Sequence, residues 1–174
     1  MTITTGTAKE NVIKRTITVL LVIAAVTAWI IWDNNRLVVS EYSIDDGRID
    51  KDLRIVQISD FHNSHKMGDK MIRKVKEQSP DLIAITGDLV DSNRTDIGYA
   101  VQIAGELADI APTYYVTGNH EAWISDSDYR KLKDGLADRG VTVLESGGSI
   151  EITDSVRLYG SMTLTSTATG MRTQ

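Results

Sequence analysis

The sequence predicts an α/β protein, with one membrane-spanning helix followed by alternating strands and helices that build a largely parallel sheet. Three observations carry this. Residues 16–32, TITVLLVIAAVTAWIIW, contain no charge. From residue 53 onward, short apolar runs alternate with stretches of helical periodicity. Each of the first three runs opens into a turn carrying Asp, His, Asn or Gly. Strands and helices alternating at this spacing form βαβ units.

The charge-free run comes first. Its seventeen residues give roughly 25 Å of helix at about 1.5 Å per residue, near the lower limit for a bilayer core. Trp29 and Trp32 sit at one end, where interfacial aromatics belong. Lys9, Lys14 and Arg15 precede the run, while Asp33 and Arg36 nearly balance after it. The positive-inside rule then expects residues 1–15 in the cytoplasm, a single-pass anchor at 16–32 in the cell membrane, and the rest outside. A cleaved leader competes, with Val26-Thr27-Ala28 as its small-residue site. The run is long for such a leader, and WIIW would begin the mature chain. A buried core helix is the third reading, but the run is apolar all round and has basic flanks.

Residues 33–52 read as a connector with a short strand at 37–42 and a turn at Asp45-Asp46-Gly47. The next predicted elements are a buried strand at 53–59 and a helix at 70–78, with Met71, Ile72 and Val75 at helical spacing. Ser79-Pro80-Asp81 ends that helix, because proline disfavours helix in the residue before it. A second strand is expected at 82–86. A second helix follows at 96–110, with Ile97, Val101, Ala104, Leu107 and Ala108 on one face. A third strand at 114–117, a third helix at 127–139, and short strands at 141–144, 149–152 and 156–159 complete the order. Residues 161–174, rich in Ser and Thr, read as a divergent tail.

Composition narrows the function classes. The chain carries 19 Lys and Arg against 24 Asp and Glu, a formal charge of −5, so nucleic acid is not expected as a partner. With no cysteine, thiol catalysis and thiolate metal sites are excluded.

Ligands of parallel sheets bind beyond the carboxyl ends of the strands. There the first strand is followed by Asp60 and His62, the second by Gly87, Asp88 and Asp91, and the third by Gly118, Asn119, His120 and Glu121. In a parallel sheet these turns lie side by side. Carboxylate, imidazole and amide oxygen suit Mn, Fe or Zn. Two such ions about 3.5–4 Å apart can activate water and clamp a phosphoryl group. Taken singly, each motif reads as an ordinary turn or helix cap; three at successive strand ends favour one site. His65 lacks such support and reads as a loop residue.

Asp60-Phe61-His62, Gly87-Asp88-Leu89-Val90-Asp91 and Gly118-Asn119-His120-Glu121 resemble the first three motifs of the calcineurin-like metallophosphoesterases. The similarity runs over 53–160, and the membrane helix and connector before it resemble the membrane-anchored bacterial branch. The resemblance implies two packed sheets flanked by helices, an αββα sandwich, with a dinuclear metal centre acting on a phosphate ester. It implies that Asp60 and His62 bind the first metal, Asp88 bridges both, and Asn119 binds the second. His120 would contact the phosphate or protonate the leaving group, with Asp91 orienting it. Monoesters, diesters, nucleotides and lipid pyrophosphates all fall within that family's reach.

The family has two further motifs, a lone His and a Gly-His-x-His. This sequence has three histidines, none after His120. The expectation is therefore the N-terminal part of the domain, truncated or frameshifted, with one metal held and activity impaired. The alternatives are a non-catalytic anchored module that binds metal or phosphate, and a half-domain completed by a partner chain over its exposed sheet.

Overall fold

The computed structural model describes residues 6–34, 37–49 and 51–161. Two units are described separately. The first is built on one helix, α1 (Gly6–Asn34). It contains a 25-residue stretch, Lys9–Asp33, long and apolar enough to cross a membrane, with none of its most apolar window buried. Helical structure thus begins ten residues before the charge-free run. The side chains of residues 9–33 are exposed on every side.

In the second unit the order is β1 (Ile55–Ile58), α2 (Gly68–Gln78), β2 (Leu82–Ile85), α3 (Ile97–Ala108), β3 (Thr113–Tyr115), α4 (Asn119–Trp123), α5 (Asp126–Asp138), β4 (Thr142–Val143), β5 (Ser149–Glu151) and β6 (Arg157–Tyr159). The first four strands form one sheet in the order β1-β2-β3-β4, and every pairing is parallel. The last two form an antiparallel ladder, with Ile150 opposite Leu158.

The expected strand at 37–42 is absent: residues 37–46 carry no regular structure. Val38 and Tyr42 are exposed, and β-propensity alone does not make a strand without a partner to pair with. The turn beside it is present, closed by Ile49 N–H donating to Asp46 O at 2.9 Å. The tail lies outside the described residues from 162 onward.

The pairing register separates the two faces of the sheet. Val56, Ile83 and Thr113 share a face with Ile58, Ile85, Tyr115 and Val143. Ile83, Ile85, Thr113 and Tyr115 are buried there. Three crossover helices lie in one layer, α3 packing against α2 and α5. Right-handed crossovers between neighbouring strands put them all on one side of the sheet. The opposite row, Gln57, Ala84, Tyr114 and Thr142 in register, is exposed or half-buried.

Caps fix the helix ends. Ser79 takes the left-handed conformation (φ 48°) that closes α2, and its N–H donates to Lys76 O. Asp96 caps α3 by accepting from Tyr99 N–H, and Ser125 caps α5 by accepting from Asp128 N–H. The buried stripe of α3 is Ala100, Ile103, Ala104 and Leu107, joined by Gly105. It is rotated from the expected face: Ile97, Val101 and Ala108 are only half-buried. The small residues Ala100, Ala104 and Gly105 let neighbouring elements approach closely, and the Arg139 guanidinium packs against Gly105.

Candidate metal centre

The parallel order puts the ends of β1, β2 and β3 next to one another, and the three turns are hydrogen-bonded together. After β1, Asp60, His62 and Asn63 have φ of 55°, 49° and 50°. After β2, Gly87 and Asp88 have φ of 96° and 52°. All five lie in the left-handed region, which costs most residues about 1–2 kcal/mol each. Asp, His and Asn are the non-glycine types found there most often. Cross-turn bonds hold the conformation. Asp60 N–H donates to Gly87 O at 3.3 Å, His62 N–H to Asp88 O at 2.9 Å, and Asn63 N–H to Leu89 O at 3.0 Å.

The third turn closes on the second. Gly87 and Gly118 meet backbone to backbone, with no room for a Cβ on either. His120 N–H donates to Asp88 Oδ1 at 2.9 Å. Glu121, 1% exposed, turns inward. Its carboxylate accepts from Asp88 N–H (2.9 Å), Val90 N–H (3.0 Å) and Gly118 N–H (2.8 Å).

The side chains of His62, Asp88 and His120 converge, each offering a ligand atom within 4.8 Å of the others. Their rings stand edge to face, His62 and His120 centroids 4.3 Å apart. Asp60 sits at the rim. Its Oδ1 is 3.8 Å from His62 Nε2 and its side chain is 69% exposed. Asn119 is the first residue of α4, next to His120, and half-buried.

Asp91 lies near both imidazoles, but its Oδ1 accepts from Asn93 N–H at 2.8 Å. That bond holds its carboxyl below the usual range, helped by Arg94 N–H and the charges of His120 and His62, against a smaller effect of burial. The group on the His120 ring is Ser92, whose N–H and Oγ each lie 3.2 Å from Nδ1. His65 stands apart from the cluster. It stacks on Tyr99 at 3.8 Å and pairs with Asp96 at 3.2 Å.

The donor set fits a divalent ion. The His62 imidazole and the Asp88 carboxylate, with no thiolate beside them, match Mn, Fe or Zn, and His120 offers a ring nitrogen within 4.8 Å of both. Tautomer logic separates the two histidines. A histidine that ligates metal normally donates its other ring N–H to an acceptor. At His120 the relation is reversed, because a backbone N–H faces Nδ1 and makes it the acceptor. The neutral ring then carries its proton on Nε2 and is a donor there.

Three residues to which sequence reasoning gave no role build this site. Glu121 was legible only as the end of a motif. Its position three residues after the helix N-cap was a readable capping signal, although a five-residue helix is too short to show periodicity. Asn63 is buried, and its side chain joins the first turn to α3. Its Oδ1 accepts from Asp91 N–H and Asp96 N–H, and its Nδ2 donates to Asp96 O. Ser92 carried no sequence signal.

A sheet with a His- and Asp-lined cluster beyond three adjacent strand ends defines the class, an α/β domain with a candidate metal site. The pattern of the calcineurin-like phosphoesterases matches residues 53–167, and the chain belongs to that family. An uncharacterized metallophosphoesterase of Campylobacter jejuni is 37% identical over 87 residues, 48% of this chain and 23% of the relative. A Bos taurus transmembrane protein with metallophosphoesterase domain is 41% identical over 78 residues, 42% of this chain and 18% of the relative. An uncharacterized metallophosphoesterase of Aquifex aeolicus is 30% identical over 128 residues, 70% of this chain and 48% of the relative. The chain thus spans less than half the length of each.

Proposed function

We propose that this chain carries the metal- and phosphate-facing half of a membrane-anchored phosphoesterase that hydrolyses phosphate esters. The convergence of His62, Asp88 and His120 within 4.8 Å is the observation that carries the reading. A divalent ion there would supply positive charge against the phosphoryl oxygens and make a water acidic enough to attack. His62, Asp88 and the exposed Asp60 would hold that ion, and Asp88 with Asn119 would hold a second.

His120 is assigned the donor role. Ser92 N–H holds Nδ1 as an acceptor, so Nε2–H is free to donate to a phosphoryl oxygen or the leaving group. Asp91 acts as a nearby negative charge. By family resemblance, further histidines complete both metal sites, and residues 1–174 contain none after His120. The half-exposed row Gln57, Ala84, Tyr114 and Thr142 supports a second reading, in which another sheet, from a longer chain or a partner, covers that face and brings those ligands.

The test is hydrolysis of an aryl phosphate ester with added Mn. Residues 1–174 alone should turn over weakly or not at all, while still binding Mn loosely. Turnover at about 1 per second or faster would show that the ligand set is complete by other means. Size analysis in mild detergent checks the partner reading, which predicts a dimer or larger species.

For topology, Lys9, Lys14 and Arg15 before the apolar run support an N-terminus in the cytoplasm and a domain outside. Protease added to intact cells should then remove the domain. Protection there, with digestion after lysis, reverses the orientation.

A further inference from the structure

We propose that Glu121 is a positioning residue for the metal centre, fixing Asp88 and the β3 turn in one geometry; this rests on reading Asp88 as a metal ligand. The bland account makes Glu121 the helix cap of α4, returning from the third helical position to Gly118 N–H. That covers one of its three bonds. The other two cross to the turn after β2, 33 and 31 residues away in sequence, at Asp88 N–H and Val90 N–H. A cap for a five-residue helix does not need them.

What the two crossing bonds hold is the residue in question. Asp88 has φ of 52°, and its three polar groups are each tied to a different residue. Its N–H goes to Glu121, its carbonyl accepts from His62 N–H, and its Oδ1 accepts from His120 N–H. Among these, only the Glu121 bond holds the Asp88 peptide N–H from beneath, on the buried side. Because Glu121 Oε2 accepts from Asp88 and Gly118 together, one buried atom sets the spacing between the second and third turns. His120 is two residues beyond Gly118, so the same atom helps set the distance from Asp88 to His120.

The chemistry asks for a carboxylate. Three fixed N–H donors converge on two oxygens. A glutamine of the same shape offers one oxygen and one NH2, and the NH2 would face a donor. Glu121→Gln should therefore disturb the turns at almost constant volume. Support around metal ligands is worth about 10–100-fold in affinity when lost, and a drop in Mn affinity of that size is expected, measured by electron paramagnetic resonance on the purified protein in detergent.

A purely structural role would lower the melting temperature yet leave the folded fraction binding Mn as the parent does; that result overturns the proposal. If the parent itself fails to bind Mn, the metal reading of Asp88 falls, and this inference with it. If Glu121→Gln does not fold, amide exchange in the parent decides. The N–H groups of Asp88, Val90 and Gly118 should be protected as one set and respond together to Mn. Independent exchange of the three overturns the proposal.

Discussion

Gly118→Ala is a one-carbon probe of how tightly the second and third turns are fitted. A Cβ at Gly118 falls 2.3 Å from Asp88 Oδ1 and 2.4 Å from Asp88 N. Favourable heavy-atom contact begins at roughly 3.5 Å, so Asp88 must retreat by about 1 Å. The carboxylate alone cannot solve this by rotating, since the backbone nitrogen is just as close. Gly118 itself has an extended backbone (φ −95°, ψ −171°) that any residue adopts, so the effect is steric. Overpacking of this kind costs about 1–3 kcal/mol of stability. A 1 Å misplacement of a functional group costs about 100-fold in function, and a loss of that order in Mn affinity is expected, read by Mn titration beside thermal melts. Gly98→Ala is the control. It lies exposed in α3, and the nearest atom to its Cβ is 3.6 Å away. It should hold stability or gain up to about 0.5 kcal/mol, since Gly98 stands in the first turn of α3 rather than its middle. Parent-like Mn affinity in Gly118→Ala would refute the close fit of the two turns.

Asp88→Asn should lower bound metal more than Asn119→Ala does, because Asp88 lies in the cluster and is assigned the bridge; equal metal content, measured by atomic absorption, sinks that assignment. Tyr115→Phe should leave stability at pH 7 unchanged or raise it by about 1 kcal/mol, since its buried Oη has no hydrogen-bond partner among the described residues. Burial first, and then the charge of Glu121, push the Tyr115 hydroxyl above its ordinary value. Its folded form therefore holds the proton more tightly, a contribution present below about pH 10 and lost as the pH rises above it. Denaturant melts at neutral and alkaline pH should show this decline in the parent and less of it in Tyr115→Phe. Asp60→Gly should melt at or above the parent while losing Mn affinity, because the exposed carboxylate contributes little to the fold and glycine relieves φ of 55°; a melting temperature several degrees lower would mean Asp60 is there for the fold.

Element order was legible because period does the work. Three strands and three longer helices showed either an apolar run or a 3.6-residue repeat, and their boundaries moved by no more than two residues. The failures have physical causes. A strand at 37–42 was expected, yet Val38, Val39 and Tyr42 remain exposed and pair with no strand among the described residues. α4 was invisible because five residues hold barely more than one turn. The buried face of α3 was misjudged because Ala100 and Gly105, small residues, bury as completely as Ile103.

The candidate site was legible for a different reason. Ser-Asp-Phe-His-Asn looks like a generic polar turn, but its chemistry and its backbone make the same demand. Four site residues without the freedom of glycine, Asp60, His62, Asn63 and Asp88, hold positive φ. Residues that tolerate that region best are Asp, Asn and His, which are also hard or borderline ligands. A turn that must be left-handed and must present donors has few residue types to choose from, so the motif stands out in sequence. Glu121 and Asn63 act by accepting from backbone N–H groups in other turns, and Ser92 by donating its own N–H to the His120 ring. Their partners lie about thirty residues away, at distances set by the sheet register. No local pattern encodes that pairing, so it becomes readable only once β1, β2 and β3 lie side by side.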